Sequence, residues 1–278
     1  MCCAWTEDGA KAEDCDDRDM TSVKEKIVKN PDETADEILD AGLVVLQKKR
    51  GYRFSIDAFL LAHFVRVRKR ARVVEFGTGS AVIAMIIARR YPDAVVHALE
   101  IQPQVADMAG RSVTANGLVD RITIYNEDAR AVIRLFPERC FDAAVFNPPY
   151  RKRDSGRINP EREKAVARHE IVGSLSLFLD AAEKIILDGA AVFTIYPAER
   201  SVDLITAMRA RKIEPKRMRM VHSHRESRAE FVLVEGIRGA GVELSVMPPL
   251  FVYCETNIYS EEMNDIFRDL ATFPAHDG

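Results

Sequence analysis

The residues most able to do chemistry are Asn147-Pro148-Pro149-Tyr150, directly after the apolar run Phe141 to Phe146. Two prolines fix an extended turn and remove two N–H donors, so carbonyls are left to point one way. The Asn147 side-chain oxygen and the Pro148 carbonyl can accept both protons of a planar –NH2 group. Those bonds draw the nitrogen toward tetrahedral geometry and free its lone pair, while Tyr150 offers a stacking face to an aromatic base.

Three other groups have the spacing of a ligand site. Val73-Val74-Glu75-Phe76-Gly77-Thr78-Gly79-Ser80 reads as a buried strand entering a Gly-rich turn and then a helix. Its glycines admit a ligand to the backbone. A dinucleotide fingerprint would need a third glycine where Val82 stands, and Glu75 would repel a pyrophosphate; it suits a cationic amino-acid head group. Glu100 closes the run Val95 to Leu99 about 20 residues later, where an acid accepts ribose hydroxyls. Asp128, in Glu127-Asp128-Ala129 after the next strand, can accept from an adenine amino group. Ile101 and Ala129, beside these acids, complete the expected cofactor-lining set of Glu75, Gly77, Gly79, Glu100, Ile101, Asp128 and Ala129.

Elements that would position these residues alternate along the chain. Strands are expected at Arg72 to Phe76, Val95 to Leu99, Ile122 to Tyr125, Phe141 to Phe146 and Ala190 to Tyr196. Helices are expected at Ala81 to Arg90, Val105 to Ala115, Ala131 to Leu135, Leu175 to Leu187 and Arg200 to Arg211. That order specifies an α/β fold with a doubly wound, mostly parallel sheet covered on both faces. Arg217 to His222 and Glu230 to Glu235 read as an antiparallel addition to its edge. Gly241 to Cys254 adds extended chain, and Ser260 is the expected N-cap of a terminal helix to Leu270. Ahead of the core, Leu43 to Gln47 and Tyr52 to Phe54 read as a β-hairpin turning at Lys48 to Gly51, followed by a helix from Ile56 to Val65.

Composition excludes several classes. At 278 residues, 47% hydrophobic and 30% charged, the chain is neither disordered overall nor collagenous. Its longest uncharged stretch, Phe76 to Ala88, is 13 residues, too short to span a bilayer, and the amino terminus has no basic-then-apolar signal order. An intracellular, cytoplasmic protein is expected. Cys2, Cys3, Cys15, Cys140 and Cys254 form no C-x-x-C pair, so reduced thiols are expected and neither a disulfide framework nor a zinc knuckle. His222 and His224 have no carboxylate near them in sequence, and no metal site is expected. Residues 1 to 19 carry seven acids against Lys11 and Arg18; with a net charge of −3 overall, the rest is left at +2. The expected organisation is an acidic extension over 1–30 and a single domain over 31–278. Within the latter, 31–70 holds the hairpin and helix, 71–235 the cofactor-binding core and 236–278 a C-terminal extension.

With these motifs the sequence resembles the class I S-adenosylmethionine-dependent methyltransferases that carry the N-P-P-Y signature of amino-group methylation. Within them it is most similar to the bacterial family that methylates N6 of adenosine 37 in valine tRNA. The resemblance runs from about Asp36 onward. It includes Tyr52-Arg53-Phe54-Ser55-Ile56-Asp57-Ala58, Ala167-Arg168-His169-Glu170, Pro249-Leu250-Phe251-Val252-Tyr253 and Ile258-Tyr259-Ser260. It implies S-adenosylmethionine as cofactor, tRNA as partner and the N-P-P-Y residues as the catalytic group. It is silent on the oligomeric state.

One departure is Ala81, which stands where the family usually has another glycine and is expected to keep an ordinary negative φ. Basic residues support a nucleic-acid partner: Arg151 to Arg168 holds seven against three acids, and Arg209 to Arg228 eight against two. Arg151, Lys152, Arg153, Arg168 and His169 are the expected RNA contacts. Alternatives for the acceptor are a protein glutamine amide and a DNA adenine. An idle cofactor-binding scaffold is the alternative of a different class.

Overall fold

A computed structural model describes residues 27–38, 42–50, 54–148 and 175–272. Strands β1 (Glu33–Ile38) and β2 (Leu43–Lys48) precede helix α1 (Ile56–Phe64). The alternating series follows: β3 (Arg72–Phe76), α2 (Val82–Arg90), β4 (Val95–Leu99), α3 (Pro103–Ala115), β5 (Ile122–Tyr125), α4 (Val132–Leu135) and β6 (Phe141–Phe146). After α5 (175–185) come β7 (Ile186–Pro197), α6 (Ser201–Arg209), β8 (Ile213–His222) and β9 (Ala229–Arg238). Short strands β10 (Ser245–Val246), β11 (Leu250–Phe251), β12 (Tyr253–Glu255) and β13 (Ile258–Tyr259) lead to α7 (Glu261–Ala271).

The main sheet has the order β10-β8-β9-β7-β6-β3-β4-β5, with β11 also paired to β8. Strands β5, β4, β3, β6 and β7 run parallel, and β9 and β8 join antiparallel beyond β7. The chain starts in the middle at β3, builds outward through β4 and β5, then crosses to β6 on β3's other side. In such sheets the crevice at the strands' carboxyl ends, where the order reverses, is where ligands bind.

Alternation along buried strands divides the core in two. Val73 and Val145 pack toward α1, α2, α3 and α7, whereas Val74, Phe76, Ala144 and Phe146 pack toward α4, α5 and α6. Local chemistry sets the helix starts. Pro103 occupies the first turn of α3, where its missing N–H costs nothing. Ser260 caps α7, its hydroxyl accepting from the Met263 amide at 3.1 Å with Glu261 and Glu262 in the first turn, as the sequence indicates.

Two expectations need correction. The hairpin pairs Leu43–Lys48 with Glu33–Ile38, not with Tyr52 to Phe54. Tyr52 and Arg53 lie outside the described residues, and Phe54 is in no strand. The true partner, Glu-Thr-Ala-Asp-Glu-Ile, is too polar for alternation to reveal. Side chains of α3 and of Asn116 just after it fasten the hairpin instead: Arg111 bonds the buried Glu33 carboxylate of β1 at 2.7 Å, while on β2 the Ser112 hydroxyl accepts from the Leu46 amide and Asn116 bonds both backbone groups of Val44. The other correction is Leu187, which with Ile186 is in β7 and not in the preceding helix.

Candidate active site

Registry brings the motifs together. Phe76 pairs with Phe146 on one side and with Leu99 on the other, and Leu99 pairs with Tyr125. Gly77, Asn147, Glu100 and Asn126 therefore leave their strands side by side at one sheet edge, neighbours spaced about 4.8 Å apart.

The Gly-rich turn is held from both sides. The Thr78 amide donates to the Leu99 carbonyl at 3.0 Å, and the Gly79 amide to Glu100 Oε2 at 3.1 Å. Gly77 has φ +66°, and a Cβ there would lie 3.2 Å from Phe178 Cζ on α5, so both backbone and space favour glycine. Ala81, contrary to expectation, has φ +63°. It is fully buried as the residue before α2, and its carbonyl takes the Met85 amide at 2.9 Å. The tight passage from turn into helix imposes the left-handed conformation even without a glycine.

Glu75 points to the α2 face and is 1% exposed. It accepts from the Thr78 hydroxyl at 2.8 Å and from the Ala84 backbone. Burial, far more than the Glu100 charge, pushes its pKa up to about 8. Glu100 is also buried; besides Gly79 it takes the Gln102 amide at 2.9 Å. Asp128 caps a short 3-10 turn, accepting from the Arg130 amide at 2.8 Å. The Arg130 guanidinium lies on the same carboxylate and holds it below the usual range. Ile101 is 58% exposed, an apolar surface beside Glu100, whereas Ala129 is buried.

Asn147 carries the sharpest feature. Its Nδ2 donates to Asp57 Oδ2 of α1 at 2.9 Å, and its Oδ1 is buried with no hydrogen-bond partner among the described residues. An unpaired buried carbonyl oxygen is costly. It marks a place for a donor. Asp57 belongs to the Tyr52 to Ala58 run before the core, but 90 residues separate it from Asn147 and no spacing rule joins them.

Groups at this edge are acceptors, which suits a ligand presenting an ammonium, ribose hydroxyls and an amino group. A Cβ built on Gly79 meets nothing within 4 Å, so the turn is open there. Residues 55–168 match the family model of the methyltransferase small domain. The protein is an S-adenosylmethionine-dependent methyltransferase. Glu75, Gly77, Gly79, Glu100 and Asp128 are the residues able to hold that cofactor. A relative from Pedobacter heparinus, 24% identical over 217 residues, is covered over 90% of its length and covers 78% of this chain. One from Porphyromonas gingivalis is 29% identical over 196 residues, covering 68% of this chain and 75% of the relative. Both are named tRNA1(Val) (adenine(37)-N6)-methyltransferase. Among solved structures, a predicted O-methyltransferase from Agrobacterium tumefaciens shares the fold, with a TM-score of 0.64, 21% identity and coverage of 79% of this chain and 99% of that one.

Several expected residues of the methyltransferase lie outside the described residues: Pro149 and Tyr150, and the RNA contacts Arg151, Lys152, Arg153, Arg168 and His169. The second basic run is largely absorbed by the fold. Arg209, Arg211, Arg217 and Arg219 pair with Glu214, Asp180, Glu235 and Glu262, and Arg217 also lies 3.8 Å from the Phe64 ring centre. Its charge is thus weaker support for RNA than its count implied. No helix of the described residues is long and apolar enough to cross a membrane.

Proposed function

We propose that this methyltransferase modifies the exocyclic N6 of an adenosine in tRNA, with adenosine 37 of valine tRNA as its target. The observation that carries the reading is the unpartnered Asn147 Oδ1, buried at the carboxyl end of β6 next to the Gly-rich turn. The names of the relatives supply the acceptor.

Asn147 Oδ1 and the Pro148 carbonyl accept the two N6 protons and localise the nitrogen lone pair, with Tyr150 stacking on a base splayed out of the anticodon loop. Glu75 faces the ammonium, Glu100 the ribose and Asp128 the adenine amino group of the cofactor. When bound, the cofactor supplies a methyl group already activated on a sulfonium. Orientation then accounts for most of the acceleration, and no strong base is required.

Asn147→Ala is expected to lower methyl transfer by about a hundredfold or more, with affinity for S-adenosylhomocysteine nearly intact. The acceptor is tested by mass spectrometry of nucleosides from tRNA incubated with labelled cofactor, with valine tRNA lacking the modification as substrate. N6-methyladenosine at position 37 is the expected product. Label found only in protein from a mixed lysate would overturn the reading in favour of a glutamine acceptor.

A further inference from the structure

Asp57 lies in the first turn of α1 and is 1% exposed. Burying a carboxylate is costly unless it is bonded, and its surroundings supply the bonds: the Ser55 hydroxyl donates to Oδ1, Asn147 Nδ2 donates to Oδ2, and the helix N-terminus favours negative charge. α1 belongs to neither the Gly-rich turn nor the N-P-P-Y run. It meets the N-P-P-Y run through this contact with Asn147.

The chemistry of the pair fixes a direction. A carboxylate oxygen accepts and does not donate, so only the –NH2 end of the Asn147 amide can face Asp57. The carbonyl end must then point away, and Oδ1 is the buried oxygen without a partner among the described residues. In the reverse orientation, two oxygens would repel each other and the amide would present donors to an amine that also donates. The charge-assisted bond at Nδ2 further polarises the amide and makes Oδ1 a stronger acceptor.

Building on the reaction proposed above, we infer that Asp57 is a positioning residue for methyl transfer: it locks the Asn147 amide with its oxygen toward the acceptor amine. Its negative charge, one amide away, also favours the positive charge that develops on that amine as the methyl group arrives. Ser55, itself exposed, supports this role through its bond to Oδ1.

Single-turnover methyl transfer to tRNA and calorimetric binding of S-adenosylhomocysteine test the inference in Asp57→Asn, Asn147→Ala and the double variant. Asp57→Asn keeps the shape but can turn either end of its amide toward Asn147. It is expected to slow transfer about tenfold or more, short of the loss from Asn147→Ala, with cofactor affinity unchanged. Because Asp57 acts through Asn147, adding Asp57→Asn to Asn147→Ala should cost nothing further. Ser55→Ala, at an exposed position, should give a smaller loss with the same non-additivity. Full multiplication of the two losses, or a fall in cofactor affinity matching the fall in rate, would assign Asp57 to the fold and overturn the inference. Wild-type transfer by Asn147→Ala would instead overturn the reading on which it rests.

Discussion

Replacing Glu75 with glutamine should make the cofactor-free protein more stable at neutral pH, although an ionisable group of the site is removed. Glu75 is buried, and its pKa stands at about 8 against an ordinary 4.5. Folded protein therefore keeps a proton that the unfolded chain releases, so the contribution of this group is complete below about pH 4.5 and is lost as pH rises to about 8. At 1.36 kcal/mol per unit, the loss between pH 4.5 and pH 7 is about 3 kcal/mol. Glutamine has the same shape, keeps an oxygen for Thr78 and does not titrate. Glu75→Gln should then be more stable by about 3 kcal/mol at pH 7, which for a chain of this size is roughly 6–12 °C in melting temperature, and equal to the wild type near pH 4.5.

The same shift couples to the cofactor. An ammonium against Glu75 favours the ionised carboxylate, so binding at pH 7 should release a proton from the wild type and none from Glu75→Gln. Calorimetry with S-adenosylhomocysteine in buffers of differing ionisation enthalpy reads this directly, beside thermal melts from pH 4.5 to 8.5. A wild-type stability that does not fall relative to Glu75→Gln across that range would refute the burial argument. Buffer-independent binding enthalpies would refute the contact with the ammonium.

At Ala81, relief of the left-handed strain by Ala81→Gly, about 1–2 kcal/mol, is offset by a lost buried methyl and added chain entropy, so melting should hardly move; Ala81→Val, which clashes in that conformation, should melt well below both. Arg130→Ala frees Asp128 from a solvent-screened ion pair, and should tighten S-adenosylhomocysteine binding by at most a few-fold in calorimetry. Arg111→Ala leaves Glu33 buried with Asn30 as its hydrogen-bond partner among the described residues and should cost about 3 kcal/mol in urea unfolding at pH 7. Because Arg111 holds the Glu33 pKa down to about 2, this contribution is present above pH 4.5 and lost as pH falls toward 2, so the variant and wild type should converge in acid.

What was legible in the sequence was whatever a local pattern encodes. Strands β3, β4, β5 and β6 have the bounds expected from their β-branched and apolar runs, because short, mostly apolar runs stand out from the polar connections between them. Glu75, Gly77, Glu100 and Asn147 follow from the same runs, since each sits at or just beyond a strand's carboxyl end. The polar strand β1 was not legible, because it has no apolar alternation and its hairpin is held from far along the chain, by Arg111 on Glu33 of β1 and by Ser112 and Asn116 on β2. Ala81 misled for a related reason: residue type gives a preference for φ, but the turn between β3 and α2 sets its value.

The site itself shows where local reading stops. Asn147 was identified by its neighbours Pro148, Pro149 and Tyr150, yet its amide can face either way until something outside the motif fixes it. That something comes from α1, a helix that precedes the Gly-rich turn and enters neither the parallel sheet nor the cofactor edge. In the proposed reaction the sequence signature names the side chain that meets the acceptor amine, and the fold decides that its oxygen faces that amine. On the inference above, a chain that kept N-P-P-Y but lost the acid at Asp57 should keep the signature and lose the orientation. For this reason the Asp57 and Asn147 variants are informative only when measured together.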